Sequence, residues 1–281
     1  MTELAWVALS LLDHVGSRTL RALVAQFGSP QAALDAPTEA LRRVAGVGPK
    51  IAASIRAVDL ARVEAAVAGW RAAGVRPVTL DDPDYPRRLR ALDDAPPTLF
   101  VRGVWPPPPA RAAAVVGTRC PTPAARAAAG QIGADLVVRG WLVVSGLALG
   151  VDGAAHVGAL ALPRGYTLAV LGSGVLNIYP PAHRPLAQAV LGRGALVSEA
   201  PPPAKPAAAR LVARNRIISG LADALIVVET DADGGAMHAA RFAAAQGRPV
   251  YALDLPASGN RALLAGGARP LDPDLKNLFD G

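Results

Sequence analysis

From residue 111 onward, short apolar runs alternate with stretches of helical spacing, a pattern few architectures accept. Ala112-Ala113-Ala114-Val115-Val116 stops at Gly117-Thr118-Arg119, and helical spacing follows from Pro123 to about Arg139. Trp141-Leu142-Val143-Val144 stops at Ser145-Gly146-Leu147-Ala148, and a second helix follows Asp152. Candidate strands lie at 112–116, 141–145, 167–171, 195–198, 224–228 and 249–252; candidate helices lie at 123–139, 153–162, 183–192, 211–220 and 235–246. Strands alternating with helices imply βαβ units and a parallel sheet. The expected fold class is α/β, an extended Rossmann-like, doubly wound, mostly parallel sheet.

The loops carry the chemistry. The first two are small-residue turns at the carboxyl ends of strands, where open parallel sheets bind ligands. Small residues let backbone N–H groups approach an anion, and a helix N-terminus adds positive partial charge. Gly117, Thr118 and Arg119, with Ser145 and Gly146, therefore read as a phosphate cradle with one permanent cation. A third loop, Asp231-Ala232-Asp233-Gly234-Gly235-Ala236, sits at the same edge; its acids oppose phosphate unless they cap helices or face away. Leu171 to Asn177 half matches G-x-G-x-x-G. Asn177 replaces the last glycine, and Tyr179-Pro180-Pro181 prevents a helix from opening at a pyrophosphate, so this loop is expected only to line the same cleft. Asp152 and His156 are four apart at a helix start. One reading is an acid–base pair; the expected one is that Asp152 caps that helix and His156 packs or hydrogen-bonds locally. Arg214 and Arg216 point to different helix faces, so only a bend or a helix start lets both meet one ligand.

Ahead of the alternation, residues 1–75 read as helices with short turns, residues 76–281 as the larger domain. Gly46-Val47-Gly48-Pro49-Lys50 resembles a helix-hairpin-helix, of the small all-α, SAM-like kind. The resemblance implies that Gly46 and Gly48 offer backbone N–H groups to a phosphate, assisted by Lys50. Pro106 to Pro109 is a stiff join. Residues 111–281 hold 16 bases against 11 acids, and Arg184 to Arg216 holds six bases against Glu199 alone, within a chain of net charge +7. This balance points to a polyanion partner. Arginine supplies nearly all of the positive charge and suits bidentate phosphate contacts. No run of 18 apolar residues and no signal-peptide pattern appears, and Cys120 is the only cysteine. The expectation is a cytoplasmic protein with no membrane span and no disulfide. The four histidines lack metal-ligand spacing, and no cofactor is expected.

These stretches, in this order, resemble the DNA-processing protein A (DprA/Smf) family. The match runs through Tyr85-Pro86 with Leu89, Val115 to Arg119, Val143 to Ala148, Gly150-Val151-Asp152 with Ala155-His156, and Ala169 to Gly174 with Tyr179-Pro180. It continues through Leu196 to Glu199, Arg214 to Gly220 and Val227-Val228-Glu229. The resemblance implies an extended Rossmann domain that binds single-stranded DNA and helps load RecA in natural transformation and recombination, without established chemistry. Duplex DNA is a weaker expected ligand. The resemblance implies Gly117, Thr118, Arg119, Arg214, Asn215 and Arg216 as DNA-pocket residues, and the loops and the basic stretch add Ser145, Gly146, Lys205, Arg210, Gly234 and Gly235 to the expected site. The family's aromatic-Pro pair before Arg-Asn-Arg is here Leu211 and Val212, which removes a base-stacking platform; Arg210 can stack in its place. The resemblance also implies a homodimer through the C-terminal half. The strand at 249–252 lies toward a sheet edge that needs covering, and Leu263 and Leu264, in a short apolar run after it, either fold back onto their own sheet or meet their copies as the dimer contacts. The alternative is a nucleotide phosphoribohydrolase of the lysine-decarboxylase-like group. That group uses a Pro-Gly-Gly-x-Gly-Thr loop and a helix glutamate, and the stretch from Gly235 to Gln246 has no Glu.

Overall fold

A computed structural model describes residues 2–107, 111–272 and 274–279. Pro108 and Pro109 of the expected stiff join lie outside the described residues. The chain forms two compact units, Met1–Val101 and Arg102–Gly281. This division falls later than the end of the helical run near residue 75.

The first unit opens with α1 (Thr2–Ser10), α2 (Ser17–Phe27), α3 (Pro30–Asp35), α4 (Thr38–Leu41), α5 (Pro49–Arg56) and α6 (Leu60–Ala72). Then come β1 (Val75–Thr79), α7 (Arg87–Arg90) and β2 (Thr98–Gly103). Trp6, Leu9, Leu20, Leu23, Leu41 and Ile55 meet in one core, so each helix is held by its apolar stripe. The stop after Phe27 is chemical. Gly28 takes a left-handed φ of 82° and its N–H closes on the Val24 carbonyl. Ser29 then caps α3 by accepting from the Ala32 N–H, with Pro30 in the first turn. In the hairpin between α4 and α5, Gly46 has φ 84° and Val47 is buried.

The second unit runs β3 (Ala112–Val116), α8 (Pro123–Val138), β4 (Leu142–Ser145), α9 (Val151–Leu160), β5 (Thr167–Val170), α10 (Arg184–Arg193) and β6 (Ala195–Ser198). It continues through α11 (Ala208–Ala213), α12 (Asn215–Gly220), β7 (Ala224–Val227), α13 (Gly235–Ala245), β8 (Val250–Ala252), α14 (Ser258–Ala265), β9 (Arg269–Pro270) and α15 (Lys276–Phe279). Its strands lie in the order β6-β5-β4-β3-β7-β8-β9, and every one of these pairs is parallel. The chain steps outward from β3 to β6 and then returns to the other side of β3 for β7. This is the doubly wound, Rossmann-like sheet expected from the alternation. The reversal opens a crevice at the carboxyl ends of β3 and β7.

One detail differs from the sequence expectation. The stretch 211–220 is not one helix, because the chain breaks at Arg214 between α11 and α12. The strand at 249–252 lies toward one edge of the sheet, as expected, and β9 pairs along its outer side. The intervening Ala262 to Ala265 run is the end of a helix, with Leu263 and Leu264 half-buried.

Candidate functional site

At the reversal point the loops after β3, β4 and β7 and the α11–α12 junction enclose a cleft of about 400 Å³. Backbone contacts lock these loops together. The Thr118 N–H donates to the Glu229 carbonyl at 2.7 Å, and the Thr118 carbonyl accepts from the Val151 N–H at 3.2 Å. A Cβ on Gly117 would lie 2.6 Å from Val151 Cγ2 and 2.8 Å from the Glu229 oxygen. Gly150 has φ 79°, and a Cβ there would lie 2.6 Å from the Arg119 oxygen. Only glycine fits at either position, so the Arg119 loop has one path. Glu229 anchors the segment beyond this loop. Its carboxylate accepts from the Thr122 N–H at 2.7 Å and the Thr122 hydroxyl at 3.1 Å, while Thr122 caps the Ala125 N–H. Glu229 thus ties the end of β7 to the first turn of α8, a role its bare sequence position does not reveal.

Behind the cleft lies a buried ionic layer. Arg214 is 6% exposed. Its Nη1 donates to the Val170 carbonyl at 2.8 Å and to the Gly146 carbonyl, pinning the α11–α12 break to the ends of β4 and β5. Asp152 accepts from the Gly146 N–H at 3.1 Å and the Ala148 N–H at 3.4 Å. It therefore ties down the β4 loop rather than capping its own helix, which corrects the expectation. Burial pushes the Asp152 carboxyl up from its ordinary range, with the Arg214 charge opposing. Burial lowers Arg214, with Asp152 opposing and Arg119 adding to the lowering. His156 is fully buried, and its Nδ1 lies 2.8 Å from the Thr167 hydroxyl. That hydroxyl donates to the Val143 carbonyl at 2.8 Å. Its single proton is thus committed, so His156 Nδ1 is the donor and Nε2 keeps its lone pair. Nε2 has no partner. Burial, then the His183 and Arg214 charges, lower the His156 pKa to about 3, and the ring is neutral at pH 7. His156 does bond locally, as its sequence position suggested.

Gly117, Thr118, Arg119, Arg214, Asn215, Gly234 and Gly235 all line the cleft. Ser145 and Gly146 do not. Both are buried, and the Ser145 hydroxyl donates to the Val115 carbonyl at 2.6 Å. Arg216 turns away and grips both oxygens of Glu199 at 2.8 and 2.6 Å. The break at Arg214 does not bring the two arginines together. It sends one into the sheet and the other to Glu199. Lys205 and Arg210 are exposed just ahead of the cleft residues Leu211 and Val212, and Arg210 Nη1 donates to the Lys205 carbonyl at 2.9 Å. Arg119 is exposed, and no ion pair to it is found among the described residues.

In the third loop neither exemption holds, so its acids oppose phosphate. Asp231 and Asp233 are exposed, line the cleft and do not cap α13. Asp231 accepts from the Ser258 hydroxyl at 3.3 Å. The Gly172 loop is absent from the lining, because a Cβ on Gly172 would lie 2.8 Å from Leu211 Cα; that glycine serves close packing. Beside the cleft, Tyr179, Pro180, Leu149, Leu211 and Arg119 form a recess of about 40 Å³. Tyr179 is an aromatic that sequence reasoning did not place in the site, although its pairing with Pro180 marked it. In the first unit Lys50 is exposed beside the hairpin. Among the described residues no helix is long and apolar enough to cross a membrane, and no group of three or more His, Cys, Asp or Glu is placed to hold a metal.

Comparison with known proteins gives a consistent picture. A family model described as DNA recombination-mediator protein A matches residues 76–277, and a helix-hairpin-helix motif model matches 5–58. Protein Smf of Synechocystis sp. is 35% identical over 254 residues, covering 88% of this chain and 63% of its own. DNA processing protein DprA of Bacillus subtilis is 33% identical, covering 73% of this chain and 71% of its own. Protein Smf of Escherichia coli is 41% identical, covering 64% and 48%. The chain thus spans only part of these relatives, about half in the last case. Among solved structures, DNA processing protein A of Streptococcus pneumoniae superposes with TM-score 0.83 at 24% identity, covering 96% of this chain and 95% of its own. DNA processing protein A of Helicobacter pylori, whose structure is described for its single-stranded DNA binding mode, gives 0.66 at 27%, covering 73% and 96%.

Proposed function

The chain belongs to the DNA recombination-mediator protein A family, and from that premise we propose that it binds single-stranded DNA in the cleft at the reversal point of its sheet. The observation that carries this reading is Arg119, an exposed guanidinium on a loop with one permitted path, over a cleft that also receives the N-terminus of α13. Phosphates run along Arg119, Gly234, Gly235 and Asn215, with Lys205 and Arg210 extending the basic track. Arg214 acts from behind, by holding the cleft floor. The Tyr179 recess receives a base by stacking, in place of the aromatic absent at 211 and 212. Asp231 and Asp233 keep phosphates off their part of the lining.

The bound strand is shielded and delivered to RecA in transformation and recombination, in the cytoplasm and without nucleotide turnover. Duplex binds more weakly, through phosphates alone. Gly46, Gly48 and Lys50 add one phosphate contact. Two copies pair through Leu263 and Leu264. The deciding experiment is fluorescence anisotropy of a labelled oligo-dT with the protein and with Arg119→Ala, across a salt series. The variant is expected to bind more weakly on every sequence and to flatten the salt dependence by roughly 0.7 log units per lost contact. Unchanged affinity and slope in a folded variant removes Arg119 from the site.

A further inference from the structure

The amino-terminal edge of the second unit's sheet, away from the carboxyl-edge cleft, holds a second concavity. About 590 Å³ is enclosed by residues at the entrances to β3, β4, β7, β8 and β9. Three arginines line it, Arg111, Arg248 and Arg269, with one carboxylate, Asp223, which accepts from the Ala112 N–H at 2.8 Å. Two rings form its apolar base, Trp141 and Tyr251, 8% and 1% exposed.

Two of the arginines lie beside the rings within cation–π range. The Arg111 guanidinium lies 5.6 Å from the Trp141 ring centre, and that of Arg269 lies 5.8 Å from Tyr251. Arg269 also donates to the Tyr251 hydroxyl at 3.2 Å. Arg248 is half-buried, and its Nε has no hydrogen-bond partner. No ion pair to any of the three is found among the described residues. Cations near helix C-termini have a plain structural use, offsetting the dipole, and α13 ends beside Arg248. That accounts for one arginine. It does not account for three around one cavity, two of them exposed and held beside aromatic rings. A planar guanidinium next to an aromatic ring keeps a fork of donors for a phosphate, and the ring and guanidinium together offer apolar and π surface to a base. The volume falls within the range of small-ligand pockets.

We propose that this edge is a second ligand site, taking a nucleoside phosphate, either free or as part of a strand. Arg248 and Arg269 hold the phosphate, and Arg111 on Trp141 supports the base. The site is separate from the carboxyl-edge cleft and does not depend on that cleft's reading.

The test uses the full chain carrying Arg119→Ala, so that the first cleft is weakened. Thymidine monophosphate, inorganic phosphate and a 20-nucleotide oligo-dT are titrated by calorimetry or NMR, against the same chain with Arg111→Gln and Arg269→Gln added. Melting curves check folding, and Arg248→Gln alone serves if the pair of changes unfolds the chain. The expected result is saturable binding that weakens about tenfold or more when the arginines are removed, since each supplies charge-assisted hydrogen bonds. Binding of the mononucleotide identifies a free nucleotide ligand, and binding of the oligonucleotide alone identifies a strand; both support the site. Absence of saturable binding by any probe, or binding indifferent to Arg111, Arg248 and Arg269, overturns it. The main cleft fails by a different result, unchanged oligonucleotide affinity on going from the native chain to Arg119→Ala.

Discussion

Arg119 and Asp233 share one cleft with opposite effects on a polyanion. Both are exposed, so each acts through a screened, water-like field. Asp233→Asn is expected to raise single-strand affinity by about two- to fivefold at low salt, with the gain fading as salt is added. Anisotropy titrations at two ionic strengths check it; lower affinity would mean that the carboxylate contacts a base. Arg214 behaves differently because it is buried. Arg214→Ala removes the charge that opposes burial of Asp152 and leaves the buried Gly146 and Val170 carbonyls without this donor, and each unsatisfied buried polar group costs about 1–3 kcal/mol. The melting temperature is expected to drop sharply, and DNA binding to fall with it because the β4 loop and the helix break lose their tie. A variant with native melting temperature and lost binding would instead make Arg214 a direct contact.

At the level of elements, the α9 helix carries a titration that can be read in solution. The folded-state pKa of His156 is about 3, below its ordinary value of about 6.5. Between those values the unfolded chain binds a proton that the folded chain does not. Stability is therefore undiminished by this group above pH 6.5 and falls steadily as the pH drops from about 6.5 towards 3. His156→Asn should melt less steeply with acid over that window than the native protein. Parallel melting profiles would show that another group carries the acid sensitivity. On α14, Leu263 and Leu264 are half-buried, which leaves apolar surface for a second copy and a two-fold contact. Mass measurement at micromolar concentration should find a dimer, and Leu263→Glu with Leu264→Glu should give a folded monomer. A persisting dimer places the interface elsewhere.

For the molecule as a whole, the distribution of charge sets the ranking of its sites. The stretch 111–281 holds 16 bases to 11 acids, whereas 1–75 holds 8 to 6. Most of the DNA affinity is therefore expected from the second unit, with the hairpin adding a modest share. A chain starting near Val75 should keep most single-strand binding and lose a small part of the salt slope. A folded chain of that length with no binding reverses the ranking. If two copies pair, two clefts act on one strand, and long oligonucleotides should bind more tightly than short ones by effective concentration alone.

The sheet was legible in the linear chain because its signals are local. Apolar runs of strand length, helical spacing between them and small residues at their ends need no partner to be recognised, and Ala112–Val116 and Ala195–Ser198 stand where the pattern put them. The helix-hairpin-helix was legible for the same reason, through Gly46 and Gly48. What only the tertiary structure decided is which polar groups face the cleft. Ser145 and Gly146 sit in a loop of the right composition, yet their groups are taken up by Val115, Asp152 and Arg214. Arg214 and Arg216 are two residues apart, yet one is buried under the sheet's edge and the other is paired with Glu199. Sequence spacing fixes the face of a regular helix, and the break between α11 and α12 removes that regularity. The partners of a buried charge come from distant strands, 44 and 68 residues away for Arg214. The arginine cavity at the other edge was invisible for the same physical reason. Arg111, Arg248 and Arg269 are far apart in the chain, and only parallel pairing of β3, β7, β8 and β9 sets their strand entrances side by side.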